Sequence, residues 1–346
     1  MADTMKRVLV SGGTGTRTSS LSSSTEPPPR PEHVLPEGTS YIQVDVTSAE
    51  SLGKAFETAK PDVIVHAAGV VPGLADRWSR RLEREVWTIN FEGTRNILEL
   101  SKNSGVQAFI YTSTCCVVID DTSTAHPNID EEWPSPSRST IYGESKAAAE
   151  ALVLEASSGE MATCALRPSV LCGPGDNQLV PSIHACIAKR ETPFLIGDGC
   201  NLWDITHVGN AADAHILAVE NLLSSRTAAG EAFFIQNNEP ITFRDFCLAI
   251  WALFGHIPPF EVHIPESLAC LAGMACETVT WLMGTTTILS RGSVRDACAI
   301  RYANGSKAER VLGYEARVGI EEAVRLSCED YASRIGIKLS TFKREI

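Results

Sequence analysis

The stretch VLVSGGTGTRTSSLSSSTEPPPRP at residues 8–31 joins two patterns that do not belong to one structural unit. Its opening, VLVSGG, is an apolar run that ends in glycines, which is typical of a buried strand followed by a tight turn. From residue 16 to residue 30 Ser, Thr and Pro dominate, and Leu21 is the only large apolar residue. Five prolines between residues 27 and 36 exclude a continuous helix, so we expect residues 16–40 to be a loop or disordered.

The composition of the whole chain is that of a large folded protein. Of its 346 residues 44% are hydrophobic and 21% are charged, which is enough apolar surface to build a core. The net charge of −12 argues against a nucleic-acid partner, since such surfaces are normally basic. Eleven cysteines without a CxxC pair indicate a reducing compartment rather than disulfides or a zinc site. The N-terminus shows no secretory signal, so we expect a cytoplasmic protein.

Beyond residue 40, strand and helix patterns alternate along the chain. Short β-branched runs predict strands, and amphipathic or Ala-rich runs predict helices. The predicted strands are 41–46, 62–69, 107–114, 163–171 and 231–237, and the predicted helices are 48–59, 87–105, 142–156, 216–225 and 241–255. The alternation predicts an α/β fold in which right-handed βαβ units surround a parallel sheet.

A long apolar stretch, SLACLAGMACETVTWLMGTTTILS, occupies residues 267–290. Its length approaches the roughly 20 apolar residues of a transmembrane helix, but Glu277, several threonines and two glycines interrupt it. Three interpretations remain open at this point: a membrane span, a helix at the membrane surface, and a buried helix of a substrate-binding lobe.

The motif IYGESKAAAE at residues 141–150 carries the strongest chemical signal. Tyr142 and Lys146 are four residues apart, so on a helix they share one face. An ammonium beside a phenol stabilises the phenolate and lowers the pKa of the tyrosine, which suits proton transfer to or from an alcohol or ketone. The alternative for this motif taken alone is a chance pair on the surface.

A second polar group ends the predicted strand in FIYTSTCC at residues 109–116. Since side chains alternate along a strand, Thr112 and Thr114 are expected to point one way and Ser113 the other. The carboxyl ends of parallel strands form the rim where ligands bind. We therefore expect Thr114, or failing that Ser113, to hydrogen-bond a substrate oxygen, with strand-end capping as the alternative.

These motifs stand among ten stretches that occur in a recognisable order. The stretches are VLVSGGTG, VDVTS, VIVHAAG, NFEGTRNIL, YTST, YGESK, LRPSVLCGPGD, DITHVGNAADAHILA, GEAFFIQNNEPITFRDF and KAERVLGYEARVGIEEAV. Over residues 5–15 and 41–330 the chain resembles an extended short-chain dehydrogenase/reductase, and more narrowly the 3β-hydroxysteroid dehydrogenase and sterol-4α-carboxylate 3-dehydrogenase group. HVGNAADAHILA and GEAFFIQNNEPITFRDF are similar to the steroid group rather than to nucleotide-sugar epimerases.

The resemblance implies a site and a cofactor, NAD or NADP. Tyr142 would be the general acid/base, Lys146 would bind the nicotinamide ribose, and Thr114 or Ser113 would complete the triad. Asn90 would support a proton relay, with a buried polar contact as the alternative. The residues expected to contact the cofactor, besides Lys146, are Gly12, Gly15, Asp45, Val46, Ala67, Ala68, Gly69, Pro168 and Ser169. We expect His66 to be structural, and Arg167 could equally form a structural ion pair.

The resemblance also implies an organisation and an activity. Residues 1–172 would form an NAD(P)-binding Rossmann-like domain and residues 173–346 mainly a substrate lobe, with 204–240 returning to the first domain. The enzyme would oxidise the 3β-hydroxyl of a steroid or related polycyclic terpenoid, and a carboxylate on the neighbouring carbon would make decarboxylation possible. A homodimer, membrane contact through residues 267–290 and association with the endoplasmic reticulum are further expectations.

The opening stretch departs from the family pattern. Gly12 and Gly15 match the first two glycines of the dinucleotide fingerprint, but Thr18 stands at the place of the third. No acidic residue can be assigned to the adenosine ribose, since Glu26 and Glu32 lie in the proline-rich segment. We hypothesise that residues 16–26 arose by a frame change or exon-boundary error. The alternatives to an active dehydrogenase are therefore a relative with impaired cofactor binding that acts as a binding protein, and a nucleotide-sugar epimerase or dehydratase with the same triad.

Overall fold

The computed structural model describes residues 6–12, 38–120, 124–136 and 139–340. Gly15, the predicted loop at 16–37 and the hypothesis about residues 16–26 lie outside the described residues. The strands are β1 (Val8–Ser11), β2 (Val63–His66), β3 (Ala108–Thr112), β4 (His126–Ile129), β5 (Ala162–Pro168), β6 (Val170–Cys172), β7 (Phe194–Ile196), β8 (Leu202–Trp203), β9 (Ile205–His207), β10 (Glu231–Ile235), β11 (Ile241–Thr242), β12 (Val262–Ile264) and β13 (Arg301–Ala303).

The helices connect these strands in the order that the sequence predicts. They are α1 (Ala49–Ala59), α2 (Glu83–Trp87), α3 (Gly93–Asn103), α4 (Cys116–Ile119), α5 (Ile141–Glu155), α6 (Leu179–Ala188), α7 (Val208–Leu223), α8 (Phe243–Leu253), α9 (Glu266–Met283), α10 (Arg291–Cys298), α11 (Ser306–Leu312) and α12 (Ile320–Ile335). A π-helical turn, Thr88–Glu92, joins α2 to α3. Ser48 and Thr242, which stand where the sequence indicates N-caps of two predicted helices, act as caps: Ser48 accepts a hydrogen bond from the Ser51 amide, and Thr242 accepts one from the Asp245 amide.

The central sheet is parallel and has the order β1-β2-β3-β5-β10. Helices α1, α3 and α5 cover one face through a cluster that includes Leu52, Phe109 and Val153, and α7 and α11 cover the other through a cluster that includes Val63, Ile110 and Leu222. Burial on both faces explains why β2, β3 and β5 are almost wholly apolar. The predicted Rossmann-like α/β fold is confirmed.

The first βαβ unit is incomplete within the described residues. β1 pairs with β2 on one side and with no other described strand. Val8 and Val10 align with Val63 and Val65, yet they are 48% and 54% exposed whereas the two β2 valines are buried. Leu9, on the opposite face, packs against the cluster of α1 and α3. The edge strand is therefore covered on one face and half-exposed on the other.

The predicted strand at 41–46 is wrong. Residues 41–45 have no regular structure, and Val46 begins a turn in which the Asp45 carboxylate accepts hydrogen bonds from the Thr47 amide and hydroxyl. A strand needs a neighbour for its backbone hydrogen bonds, and none of the described strands lies beside this segment. The predicted strand at 163–171 is split, because β5 belongs to the central sheet whereas β6 pairs with β9.

The second half of the chain adds smaller sheets around a separate apolar cluster. A four-stranded sheet has the order β11-β8-β13-β4, and β12 pairs with β7. Side chains of α6, α8 and α12 form the cluster, which includes Val180, Phe246 and Val324. β10 returns to the central sheet beside β5, in line with the expected return of residues 204–240. The domain boundary near residue 172 stays a prediction.

Helix α9 lies at the surface, and the interpretation of a buried helix is wrong for most of its length. Only Ala269 and Gly273 of its residues are buried. The large apolar side chains that α9 and the residues just after it expose are Leu268, Leu271, Met274, Val279, Trp281, Leu282, Met283, Ile288 and Leu289. Among the described residues, no helix has the length and apolar character that a membrane span requires.

The fit of the glycine turn against the sheet can be tested by Gly12→Ala. Gly12 has φ of +83°, and a Cβ there would lie 2.7 Å from the Ala68 backbone nitrogen. We expect a loss of roughly 2–5 kcal/mol in the free energy of unfolding, measured in urea, because backbone strain and overpacking add. The matched control is Gly105→Ala, which has φ of +74° and no atom within 4 Å of the new Cβ, and it should cost about 1–2 kcal/mol. Equal losses would show that residues 8–12 do not pack as described.

Candidate active site

The candidate site forms where α5 begins against the carboxyl end of β3. Thr140 caps α5 by accepting a hydrogen bond from the Gly143 amide at 3.0 Å, and its hydroxyl donates to the buried Asp120 carboxylate. A Cβ on Gly143 would lie 2.8 Å from the Cys116 carbonyl oxygen. The glycine of YGESK thus lets the first turn of α5, which carries Tyr142, approach α4 closely.

Thr114 lies close to Tyr142, but it does not point in the same direction as Thr112, contrary to what strand alternation predicts. β3 ends at Thr112, whose hydroxyl contacts His215 of α7 at 2.7 Å, on the face of the sheet opposite α5. Thr114 lies past the strand in a turn, accepts a hydrogen bond from the Cys116 amide and lies close to Tyr142, which packs against the cluster of Cys115–Ile119 and whose pKa Thr114 lowers. The expected common direction of Thr112 and Thr114 is therefore wrong, because strand alternation stops where the strand stops. The Ser113 hydroxyl is buried without a hydrogen-bond partner among the described residues.

Lys146 lies one turn after Tyr142 and is buried. Its ammonium donates a 2.7 Å hydrogen bond to the Thr112 carbonyl oxygen and lies 4.2 Å from the centre of the Tyr111 ring. Burial lowers the pKa of Lys146 to about 7, and the Glu150 carboxylate opposes that shift. The side chain can therefore gain or lose a proton near neutral pH.

The pKa of Tyr142 moves opposite to the direction expected from its neighbour Lys146. Burial raises it, the nearby Cys116 and Asp120 raise it further, and Thr114 and Arg77 lower it. The described contact of the Lys146 ammonium is the Thr112 carbonyl rather than the phenol. The expectation that Lys146 lowers the pKa of Tyr142 is therefore wrong for this structure, because desolvation dominates.

Asn90 connects the segment after β2 to α5 by hydrogen bonds. Its Oδ1 accepts a 2.7 Å hydrogen bond from the Val70 amide, and its Nδ2 donates to the Val70 carbonyl and the Ser145 hydroxyl, both at 3.0 Å. The residue belongs to the π-helical turn, an irregularity that is frequent at functional sites. A Cβ on Gly69 would lie 3.3 Å from Asn90 Oδ1 and 3.7 Å from Lys146 Nζ. Asn90, Gly69 and Lys146 are thus close neighbours.

Local contacts hold the glycine turn at Gly12 and also hold Asp45 and Val46, which the resemblance implies at the adenine of the cofactor. Gly12 lies directly against the backbone of Ala67 and Ala68, with its Cβ position 2.8 Å from the Ala67 carbonyl carbon. Asp45 caps its own turn, as described above, and Val46 packs against Gly93. This packing brings the glycine turn and the end of β2 together.

Pro168 and Ser169, which the resemblance implies at the nicotinamide end of the cofactor, lie beside the turn that follows Thr114. The Pro168 carbonyl accepts a hydrogen bond from the Cys115 amide, and the Ser169 hydroxyl donates to the Asp204 carbonyl. The unpartnered Ser113 hydroxyl and the buried Lys146 ammonium supply polar groups there. These features fit NAD or NADP at the nicotinamide end, whereas Gly15 lies outside the described residues.

His66 and Arg167 have the structural contacts expected of them. His66 lies between the Ser11 and Thr94 hydroxyls, and burial, with a smaller effect of Lys146, lowers its pKa to about 3, so the ring is neutral. Arg167 forms a buried two-pronged ion pair with Glu150, with N–O distances of 2.6 and 3.0 Å.

Sequence reasoning missed Arg77, which stands in the loop between β2 and α2. Its guanidinium lies 3.7 Å from both the Asp120 carboxylate and the Cys116 sulfur, and it lowers the pKa of Tyr142. The signal in the sequence was ADRWSRR at residues 75–81, which places three arginines just after the small residues expected to line the cofactor.

No cluster of three or more metal-ligating side chains occurs among the described residues. The eleven cysteines are all free thiols.

A family model supplies the classification. Residues 24–266 match the model of the 3-beta hydroxysteroid dehydrogenase/isomerase family. The chain belongs to this family. The sterol-4-alpha-carboxylate 3-dehydrogenase, decarboxylating, of Schizosaccharomyces pombe is 41% identical over 284 residues, which cover 81% of each chain. Its counterpart in Saccharomyces cerevisiae is 38% identical, over 81% of this chain and 79% of the relative.

Solved structures support the fold. UDP-glucose 4-epimerase from Thermotoga maritima superimposes with a TM-score of 0.68 at 20% identity, covering 95% of this chain and 91% of that one. UDP-glucose 4-epimerase from Thermus thermophilus, in complex with NAD, gives a TM-score of 0.67 at 22% identity and covers 94% and 98% of the two chains. Identities this low indicate a shared Rossmann-type architecture and do not extend to substrate.

Replacing Asn90 by Ala tests whether the residue holds the site together. The buried Val70 amide and carbonyl would lose their partner, so we expect a loss of about 2–4 kcal/mol in the free energy of unfolding in urea. Asn96→Ala is the matched control, since its amide donates longer, partly exposed bonds to the Val46 and Thr47 carbonyls; it should cost at most about 1 kcal/mol. Near-normal stability with reduced kcat in Asn90→Ala would instead favour a relay role alone.

Proposed function

We propose that this protein is an NAD(P)-dependent dehydrogenase that oxidises the 3β-hydroxyl of a sterol or related polycyclic terpenoid to the ketone. The observation that carries the proposal is the closeness of Thr114 and Tyr142, one helical turn from the buried Lys146, in a member of the 3-beta hydroxysteroid dehydrogenase/isomerase family. Bound NAD(P) would accept the hydride from C3. The relatives named above, as sterol dehydrogenases, support the substrate class.

Each side chain of the site has a separate role in the proposed proton transfer. Tyr142 accepts the hydroxyl proton as hydride leaves C3, and Thr114 holds the substrate oxygen in line with the phenol. The raised pKa of Tyr142 makes the phenol a strong base once it is deprotonated. Lys146, with a pKa of about 7, is a buried group that can carry a positive charge in the site near neutral pH, and Asn90 fixes the segment beside it. Ser113 is the alternative hydroxyl.

The same geometry serves decarboxylation if the carbon next to C3 bears a carboxylate. Oxidation then gives a β-keto acid, in which the bond to the carboxylate breaks and its electron pair moves into the ketone as an enolate. Carbon dioxide leaves, and protonation of the enolate carbon gives the final ketone. Relatives named as decarboxylating 3-dehydrogenases support this route.

For the cofactor, we propose contacts with the residues that the family resemblance implies. Lys146, Pro168 and Ser169 would lie at the nicotinamide end, and Ala67, Ala68 and Gly69 would line the middle. Gly12, Gly15, Asp45 and Val46 would hold the diphosphate and adenine. Isothermal titration of the full chain with NAD⁺ and NADP⁺ tests the proposal: saturable binding supports it, and no binding at millimolar cofactor would favour the binding-protein alternative.

The epimerase alternative is weaker. Its support is the fold similarity at about 20% identity, whereas the family match favours the steroid group. Product analysis with a 3β-hydroxysterol and a UDP-sugar decides between them, since the proposal requires ketone formation from the sterol and no epimer from the sugar.

The Tyr142→Phe variant removes the proposed proton acceptor. We expect kcat to fall by roughly 10³-fold or more, because the alcohol proton would have no base, while cofactor affinity stays within about twofold since Lys146 remains. Tyr331→Phe, which removes a hydroxyl far from this site in α12, is the control and should retain normal turnover. Steady-state kinetics and cofactor titration measure both quantities, and retained activity in Tyr142→Phe would remove this assignment.

We further propose that α9 contacts the endoplasmic reticulum membrane. The exposed apolar side chains described for this helix form a broad surface, and its two acidic residues are Glu266 and Glu277, the latter paired with Arg291. Because no basic residue lies on α9, binding would rest on apolar insertion and would be insensitive to salt. Homodimer formation stays a prediction.

Membrane contact can be measured by sedimentation with neutral phosphatidylcholine vesicles. Replacing Leu282 and Met283 by Gln should weaken binding on the order of tenfold or more, because each buried apolar side chain contributes about 1.5–3 kcal/mol. Ile216→Gln is the control, since Ile216 is also exposed, on α7, but lies outside this surface. Equal effects of both changes, or vesicle binding that vanishes at high salt, would contradict the proposal.

A further inference from the structure

Arg77 is a cation beside Tyr142 whose hydrogen-bonding capacity is largely unused. Among the described residues its Nη2 contacts the Asp120 carboxylate and the Cys116 sulfur, each at 3.7 Å, and its Nε is buried without a partner. A guanidinium carries five N–H donors, and a salt bridge built for stability normally uses them at 2.7–2.9 Å. Within the described part of the chain, none of the donors of Arg77 reaches an oxygen at that distance.

Two other arginines in this protein pair with a carboxylate at normal hydrogen-bond distances. Arg167 binds Glu150 with two prongs at 2.6 and 3.0 Å, although its Nη1 has no partner among the described residues. Arg80, three residues after Arg77, binds both carboxylate oxygens of Glu144 at 2.8 and 2.9 Å. Arg77 differs from both, although it is mostly buried, with a side chain 20% exposed. Leaving buried donors unpaired is costly, so the contrast indicates a group that binds there.

The loop around Arg77 is fixed on both sides. Arg80 ties it to α5 through Glu144, and Trp78 packs on Gly292 of α10, where a Cβ would lie 2.6 Å from the indole. Arg77 therefore stands between the central sheet and α10, facing the first turn of α5. Its position is set by its neighbours rather than by its own weak ion pair, which is the preorganisation that a binding residue needs.

We propose that Arg77 binds a carboxylate carried by the carbon next to the hydroxyl that Tyr142 deprotonates. This inference rests on the proposed function and specifies its substrate as a β-hydroxy acid. In such a molecule the carboxylate lies within a few ångströms of the hydroxyl, so a cation beside Tyr142 reaches it. The Asp120 carboxylate that Arg77 contacts lies 3.2 Å from the Cβ position of Gly143, the residue after Tyr142. Asp120 stays as the counter-ion on Nη2, and the remaining donors take the carboxylate.

The test compares a 3β-hydroxysterol 4α-carboxylic acid with the same sterol bearing a 4α-methyl group. In Arg77→Gln, kcat/KM for the acid should fall roughly 10–100-fold and that for the methyl sterol by no more than about threefold, because one charge-assisted pair is lost. Arg77→Lys should recover part of the preference for the acid. Arg81→Gln, which removes an exposed guanidinium of the same loop, is the control and should leave the preference unchanged. Equal losses on both sterols, or no loss on either, would overturn the inference.

Failure of the proposed function gives a different result. In that case the wild-type protein turns over neither sterol with NAD⁺ or NADP⁺. Equilibrium titration of tryptophan fluorescence with the two sterols then tests Arg77 by itself. Tighter binding of the acid that disappears in Arg77→Gln supports the inference, and equal affinities for the two sterols in the wild-type protein overturn it. Thermal unfolding of each variant confirms that the comparison is made on folded protein.

Discussion

The hydrogen bond from the Lys146 ammonium to the Thr112 carbonyl is the contact on which the rest of the site depends. At 2.7 Å it ties the helix that carries Tyr142 to the strand that leads to Thr114. Since the ammonium is buried, removing its one described acceptor would leave a charge in an apolar environment. The hydrogen bond from Asn90 to Ser145 and the Arg167–Glu150 ion pair hold the same helix at two further points. The acid/base group therefore lies on a helix whose position is fixed at several points.

Local pattern predicted most of this architecture, because strands buried on both faces and capped helices leave direct marks on a sequence. The helices at 49–59 and 243–253 with their caps, and the pairing of YGESK with the end of β3, follow from residue spacing. The predictions that were wrong concern features that depend on residues far away in the sequence. The segment at 41–46 has strand composition but belongs to none of the described sheets, and the pKa of Tyr142 depends on burial and on Arg77, which stands 65 positions earlier in the chain.

The opening stretch gives β1 and a glycine turn that packs on Ala68, so residues 8–12 behave as a true first strand. Val8 and Val10 are half-exposed, however, whereas the β2 valines aligned with them are buried. One face of β1 therefore lacks the cover that β2 has. The match to the family model begins at residue 24 and so does not cover this strand. The family is established by the rest of the chain, whereas the cofactor's diphosphate end depends on the segment after Gly12.

The central claim is that this chain transfers hydride from C3 of a 3β-hydroxysterol to a nicotinamide cofactor. The most direct measurement uses a sterol that carries deuterium at C3 and follows the label by mass spectrometry. The account predicts one deuterium in the reduced cofactor for each ketone formed. Ketone formation without label in the cofactor, or no reduction of either NAD⁺ or NADP⁺ by the folded protein, would contradict it.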